Sequence, residues 1–204
     1  MKGTNKVVVR SYQLRAEAKD GVIEGYASVY NQKTNIGDWF YEVIERGAFD
    51  NTDLTDVLLF TNHDMNKIPL ARSRKNNGNS TMQLTPDEIG LKMRANVDIE
   101  NNAEAKTLYS ALQRGDLDGM SFRFIIGDEE WTDLDTDMPT RHIKSISKVI
   151  EVSAVNIPAY DGTSIYIRST DGSLDNERQM LDNILAEKRS LFLLKEKAKK
   201  GSVQ

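Results

Sequence analysis

The chain has two histidines among its 204 residues, and one of them, His63, stands beside Asp64 where the apolar run Leu58 to Phe60 breaks off in LLFTNHDMNKIP. Imidazole exchanges protons near neutral pH, but a proton acceptor needs a group to act on. A hydroxyl is offered by LDGMSFRFII. Strand alternation there puts Met120, Phe122, Phe124 and Ile126 on one face, with Ser121 and Arg123 on the other, away from the most apolar side. A carboxylate is offered by SKVIEVSAVNIPAYDG, in which Glu151 lies among Val149, Ile150, Val152, Ala154 and Val155. An ionised carboxylate buried there without a partner would cost several kcal/mol, so Glu151 either faces water or has a donor. A histidine would serve, and a carboxylate–imidazole–hydroxyl relay activates a serine for attack. Each residue alone also has an ordinary reading: a solvated strand serine, a strand-end histidine bonded to a loop carbonyl, an outward-facing glutamate. Asp64 and His142 are the other candidates to support His63. Asp64 meets it only if a turn intervenes, because neighbours on a strand point to opposite faces.

Other chemistries are excluded by composition and spacing. There is no cysteine, hence no disulfide, thiolate zinc site or cysteine nucleophile. In DEEWTDLDTDMP, Asp133, Asp135 and Asp137 resemble the opening of a calcium loop, but Met138 and Lys144 stand where glycine and a bidentate glutamate are needed. The segment reads as a solvated acidic loop. His63 and His142 lie far apart with no H-E-x-x-H pattern, and the glycine-rich phosphate cradles are absent. Nothing singles out a carboxylate pair for hydrolysis. The expectation is chemistry on oxygen and imidazole with no metal or organic cofactor. With 27 Lys+Arg against 31 Asp+Glu and a net charge of −4, no basic field points to nucleic acid. No apolar run approaches the roughly 18 residues of a membrane span, and MKGTNKVVVR lacks a signal peptide's apolar segment. The protein is expected to work where it is made, away from membranes.

These residues need elements to position them. Short alternating segments run from the start to about Ile167: VVVRSYQL, VIEGYASVY, DVLLF, STMQL, GLKMRANV, GMSFRFII and HIKSISKVIEVSAV. They predict a mostly antiparallel sheet that closes on itself or packs as a sandwich. NNAEAKTLYSALQRG interrupts them with Ala105, Leu108, Tyr109 and Leu112 at helical spacing, Asn102 as N-cap and Gly115 past the end. After a break at Asp171-Gly172 the texture becomes that of an amphipathic helix. Its end, KRSLFLLKEKAKK, carries six basic residues against Glu196, a face that suits packing on its own protein, on a copy of itself or on an acidic partner. The domains expected are a β domain over residues 1–170 and a basic amphipathic helical tail over 171–204. With 39% hydrophobic and 28% charged residues the chain is ordinary for a globular protein.

The ordered series EGYASVYN (24–31), EVIERGAF (42–49), TNHD (61–64), LQRGDLDG (112–119), MSF (120–122) and EVSAVNIPAYDGT (151–163) resembles the prohead proteases of tailed bacteriophages, serine peptidases related in fold to the herpesvirus assemblins. The resemblance covers about residues 10 to 168 and leaves the tail uncovered. It implies a mainly β fold with helices, a small closed Greek-key-like β-barrel with peripheral helices. The implied activity is endopeptidase cleavage of scaffold and capsid precursor, and of the enzyme itself, inside the assembling procapsid in the host cytoplasm. The implied partners are the major capsid protein precursor, scaffold and further copies of the chain. His63 falls on the family's catalytic histidine, Ser121 on its nucleophile and Glu151 on its acidic member, with backbone N–H groups around Ala159 and Tyr160 as the oxyanion donors. Two departures stand out: Arg123 where glycine is common after the nucleophile, which would narrow the cleft, and Ala71 in place of a common glycine, which would alter a turn. The alternatives are an inactive assembly protein of the same fold and a carboxylate-based hydrolase.

Overall fold

The structure, a computed structural model, describes residues 7–13, 17–36, 38–156 and 174–201. In chain order the strands are β1 Val7–Gln13, β2 Glu17–Lys19, β3 Val22–Val29, β4 Thr34–Ile36, β5 Phe40–Ile44, β6 Leu58–Thr61, β7 Ala71–Arg72, β8 Met82–Pro86 and β9 Gly90–Asn96, followed by helix α1 Ala103–Arg114, strands β10 Gly119–Thr132 and β11 Thr140–Val155, and helix α2 Leu174–Gly201. One sheet runs β1-β10-β11-β5-β4, with β6 on β11 and β7 on β6; the other runs β2-β3-β9-β8. The first is mixed, because β11 pairs antiparallel with β10 and parallel with both β5 and β6.

The expected alternation is what builds the core. Phe122, Phe124, Val149 and Val152 of the first sheet pack with Ile23, Leu84 and Met93 of the second and with Leu108 and Leu112 of α1. Each large side chain fully buried in this way contributes about 1.5–3 kcal/mol. Within the second sheet β9 and β3 approach closely at Gly90: a Cβ there would come within 2.0 Å of the Ser28 carbonyl oxygen, so no other residue fits. Helix α1 follows its local signals. Asn102 accepts from the N–H groups of Glu104 and Ala105 at 3.0 and 3.2 Å, Gly115 takes φ 73°, and Ala105, Leu108, Tyr109 and Leu112 form the buried face.

A second, smaller cluster joins Ile36, Phe40 and Trp131 to Leu185 of α2. Lys188 of α2 lies 3.5 Å from Glu129, and Arg189 donates to the Thr136 carbonyl at 3.0 Å. Thus α2 packs on its own chain through these residues. Next to this cluster is a buried charge network. Arg10 of β1 and Arg141 of β11 both donate to Glu42 of β5, with Arg10 Nη2 at 2.9 Å and Arg141 Nε at 2.8 Å from Oε2, and the Arg141 guanidinium lies over the Phe40 ring at 4.9 Å. Burial pushes the Glu42 carboxyl upward, but Arg10 and Arg141 outweigh it and hold the group at about 2. Burial lowers Arg141 from its ordinary value, and a guanidinium stays charged all the same.

The fold is mainly β with two helices and a mixed sheet. Several particulars differ from the expectations. Strands β4 and β5 were not anticipated, and β5 is parallel to β11 rather than part of an antiparallel series. Ala71 does not sit in a turn: it pairs with Leu59 across β6 and β7 and is buried. The ladders among the described residues form two sheets, without a closing pair between them. The Asp171-Gly172 break lies outside the described residues. No helix among the described residues is long and apolar enough to cross a membrane.

Candidate active site

The register of β10 against β11 sets the site. Ser121 is opposite Ser153 and Arg123 opposite Glu151, and directly opposed residues project to the same face of a sheet. Phe122, Val152 and Ala154 take the other face and enter the core. Strand β6 runs parallel to β11 on its other side, with Leu58 opposite Glu151 and Phe60 opposite Ser153. Immediately after β6 the chain turns: Asn62 and His63 have φ 52° and 60°, the left-handed region that costs a non-glycine residue roughly 1–2 kcal/mol. The turn is held against β11. The Asn62 N–H donates to the Ala154 carbonyl at 2.9 Å, the Asn156 N–H to Asn62 Oδ1 at 3.0 Å and the His63 N–H to Ser153 Oγ at 3.1 Å.

This turn brings the imidazole to the carboxylate. His63 Nδ1 lies 2.5 Å from Glu151 Oε1. Glu151 is fully buried, whereas the His63 side chain is 21% exposed, so one end of the pair is dry and the other reaches solvent. An ionised carboxylate only accepts, so Nδ1 carries the proton of this bond, and in neutral imidazole the lone pair is then on Nε2. Glu151 Oε2 accepts from Ser153 Oγ at 2.7 Å. Arg123 Nε stands 3.6 Å from Glu151 Oε1, an ionic approach too long for a hydrogen bond. The buried charge thus has donors, which is what its apolar setting requires.

Ser121 shares this face, but it is not solvated: it is fully buried, and its hydroxyl donates to the Arg10 carbonyl of β1 at 2.9 Å. The reading of a solvent-facing serine is corrected here. Alternation gives the face but not its cover, and β10 is flanked on both edges by β1 and β11. Asp64 is elsewhere: its carboxylate accepts from the Asn66 N–H at 3.2 Å and closes the loop after His63. His142 is at the far end of β11, with Nδ1 3.0 Å from Glu45 and Nε2 3.1 Å from Thr132 Oγ1. Ala159 and Tyr160 lie outside the described residues. Ser153 was not singled out from the sequence. Its signal was there, since in EVS it stands two residues from Glu151 and therefore on the same strand face. Among the described residues no cluster of histidine and carboxylate side chains could hold a metal ion.

Comparison with known proteins adds a family. The model described as Caudovirus prohead serine protease matches residues 6–177, a span that includes His63, Ser121 and Glu151. The prohead protease of Enterobacteria phage HK97 is 31% identical over 160 residues, which are 76% of this chain and 64% of that protein, so the chain spans a little under two thirds of that relative's length. Among solved structures, the capsid assembly protease gp21 of bacteriophage T4 is similar with a TM-score of 0.45 and 15% identity, covering 74% of this chain and 97% of that one.

Proposed function

We propose that this chain, which belongs to the caudovirus prohead serine protease family, is a serine endopeptidase that cleaves scaffold and capsid precursor, and itself, while a procapsid matures. The observation that carries the reading is the His63–Glu151 pair at 2.5 Å, on the sheet face that also bears Ser121. In this reading Ser121 is the nucleophile. Its proton, directed to Arg10 in the structure, passes to His63 Nε2 as the hydroxyl attacks the scissile carbonyl, and the imidazolium then protonates the leaving amine. Glu151 holds the Nδ1–H tautomer and stabilises the imidazolium. Backbone N–H groups at Ala159 and Tyr160 take the oxyanion. No metal or organic cofactor enters these steps.

The partners that this activity requires are the major capsid protein precursor, scaffold and further copies of the chain, met inside the procapsid in the host cytoplasm. The reading also carries a closed Greek-key-like barrel, supported by the larger core cluster, to which both sheets contribute. The test is co-expression with the cognate capsid precursor. Ser121→Ala and His63→Ala are each expected to abolish processing while leaving the circular dichroism of the folded protein. Losing the Ser121 hydroxyl leaves one backbone carbonyl without that donor, a cost of about 1–3 kcal/mol that does not unfold a domain. Continued processing by the Ser121→Ala protein overturns the proposal.

A further inference from the structure

We infer that Ser153 is a positioning residue that fixes both members of the His63–Glu151 pair through one hydroxyl; the inference rests on the catalytic reading above. Ser153 is fully buried and lies two residues from Glu151 on the same strand face. Its hydroxyl has one proton and two lone pairs. The proton goes to Glu151 Oε2 at 2.7 Å, because a carboxylate cannot donate, and a lone pair takes the backbone N–H of His63 at 3.1 Å. Each Glu151 oxygen then has its own donor: Nδ1–H of His63 on Oε1 and Ser153 on Oε2. Two donors on two oxygens set the rotation of the carboxylate plane, so Oε1 stays directed at the ring.

The second bond acts on the backbone. His63 sits in a left-handed conformation that a β-strand neighbour would not impose, and the Ser153 oxygen holds that turn to β11. One side chain therefore sets where the acceptor points and where the imidazole enters. Ser153 does not reach the reacting atoms in this arrangement: its proton already belongs to Glu151. Its part is to keep the pair aligned as charge develops on the ring, when Glu151 must hold the imidazolium.

The test uses the full chain with its cognate capsid precursor, in single-turnover and steady-state assays, on Ser153→Ala and Ser153→Thr. Loss of a hydrogen bond to a charged group predicts a kcat roughly 10–100-fold lower in Ser153→Ala, with KM unchanged. Ser153→Thr keeps the hydroxyl and restores most of the rate. The hydrogen-bonded Nδ1–H proton of His63, assigned with a His142→Gln variant, is followed by NMR and is expected to shift or broaden in Ser153→Ala and return in Ser153→Thr. Should Ser153→Ala not fold, Ser153→Cys, similar in size with a weaker donor, takes its place. Wild-type rate and Nδ1–H signal in Ser153→Ala, in an enzyme that Ser121→Ala silences, overturn the positioning role and leave the catalytic reading standing. If Ser121→Ala still cleaves and Ser153→Ala does not, Ser153 is itself the nucleophile and both readings fall. If both variants cleave, the catalytic reading falls, and an unchanged imidazole signal in Ser153→Ala removes the positioning role as well.

Discussion

Glu151 is an acid inside an apolar strand, and its sequence setting left two outcomes open, exposure to water or a bond from a donor; it is fully buried, so it must have donors. The structure supplies two, His63 Nδ1 and Ser153 Oγ. Asp64, the rival for the same role, accepts from a loop N–H instead. The two carboxylates should therefore behave differently when their charge is removed. Glu151→Gln is expected to slow single-turnover cleavage by roughly 10²–10⁴-fold, since an amide can present the wrong group to Nδ1 and favour the wrong tautomer. Asp64→Asn should cost much less. Rates in the opposite order, with both variants folded, would move the supporting role to Asp64. What could not be read at this scale was the burial of Ser121. Alternation reports which face a side chain takes, whereas burial depends on what other segments bring over that face.

Elements with local signals were legible and elements defined by distant partners were not. Helix α1 announces itself through Asn102, its apolar spacing and Gly115, all within fourteen residues, about four turns. Strands β4 and β5 are three and five residues long, and β5 takes its place by parallel pairing with β11, about a hundred residues on. The amphipathic pattern of α2 predicts a helix but not where it packs. The structure seats Leu185 against Ile36, Phe40 and Trp131, with Trp39 packed alongside. We propose that residues 1–170 fold without this helix and that the helix guides incorporation into procapsids, its exposed Leu191, Leu193 and Leu194 lying beyond the seated turn. Both tryptophans of the chain are at the seat, so their emission reports on it. Truncation after Gly172 should leave a folded body with red-shifted tryptophan emission and poor incorporation into procapsids. Leu185→Ala should give a smaller shift of the same sign, with a loss of about 2–5 kcal/mol if the seat cannot collapse. An unfolded truncated chain would show that α2 belongs to the core.

At the scale of the molecule, the network of Arg10, Glu42 and Arg141 ties β1, at one edge of the seven-stranded sheet, to β5 and β11. It also meets the candidate site, because the carbonyl of the same Arg10 receives the Ser121 hydroxyl. Its members are 32 and 99 residues apart, which is why no local pattern disclosed it. The sign of its effect on stability follows from Glu42. Its carboxyl is held at about 2 in the folded chain against an ordinary 4.5, so its contribution is fully present above about 4.5 and is lost as pH falls toward about 2. Chemical denaturation of the wild type is thus expected to show stability declining through that window. Glu42→Gln removes the titrating group and takes from two buried guanidinium groups their shared carboxylate, leaving Arg141 only Glu129 at 3.5 Å, so it should be destabilised by roughly 3–5 kcal/mol near neutral pH and show a flatter decline in acid. Replacing all three residues by apolar ones of similar volume should recover most of that loss, because the cost lies in an unpaired charge rather than in a missing bond. Asp53 is also held at about 2, by the Thr55 hydroxyl first and by Lys148, and it titrates in the same window. If Glu42→Gln follows the wild-type acid curve unchanged, the acid sensitivity belongs to Asp53 and the buried network is not what fails first.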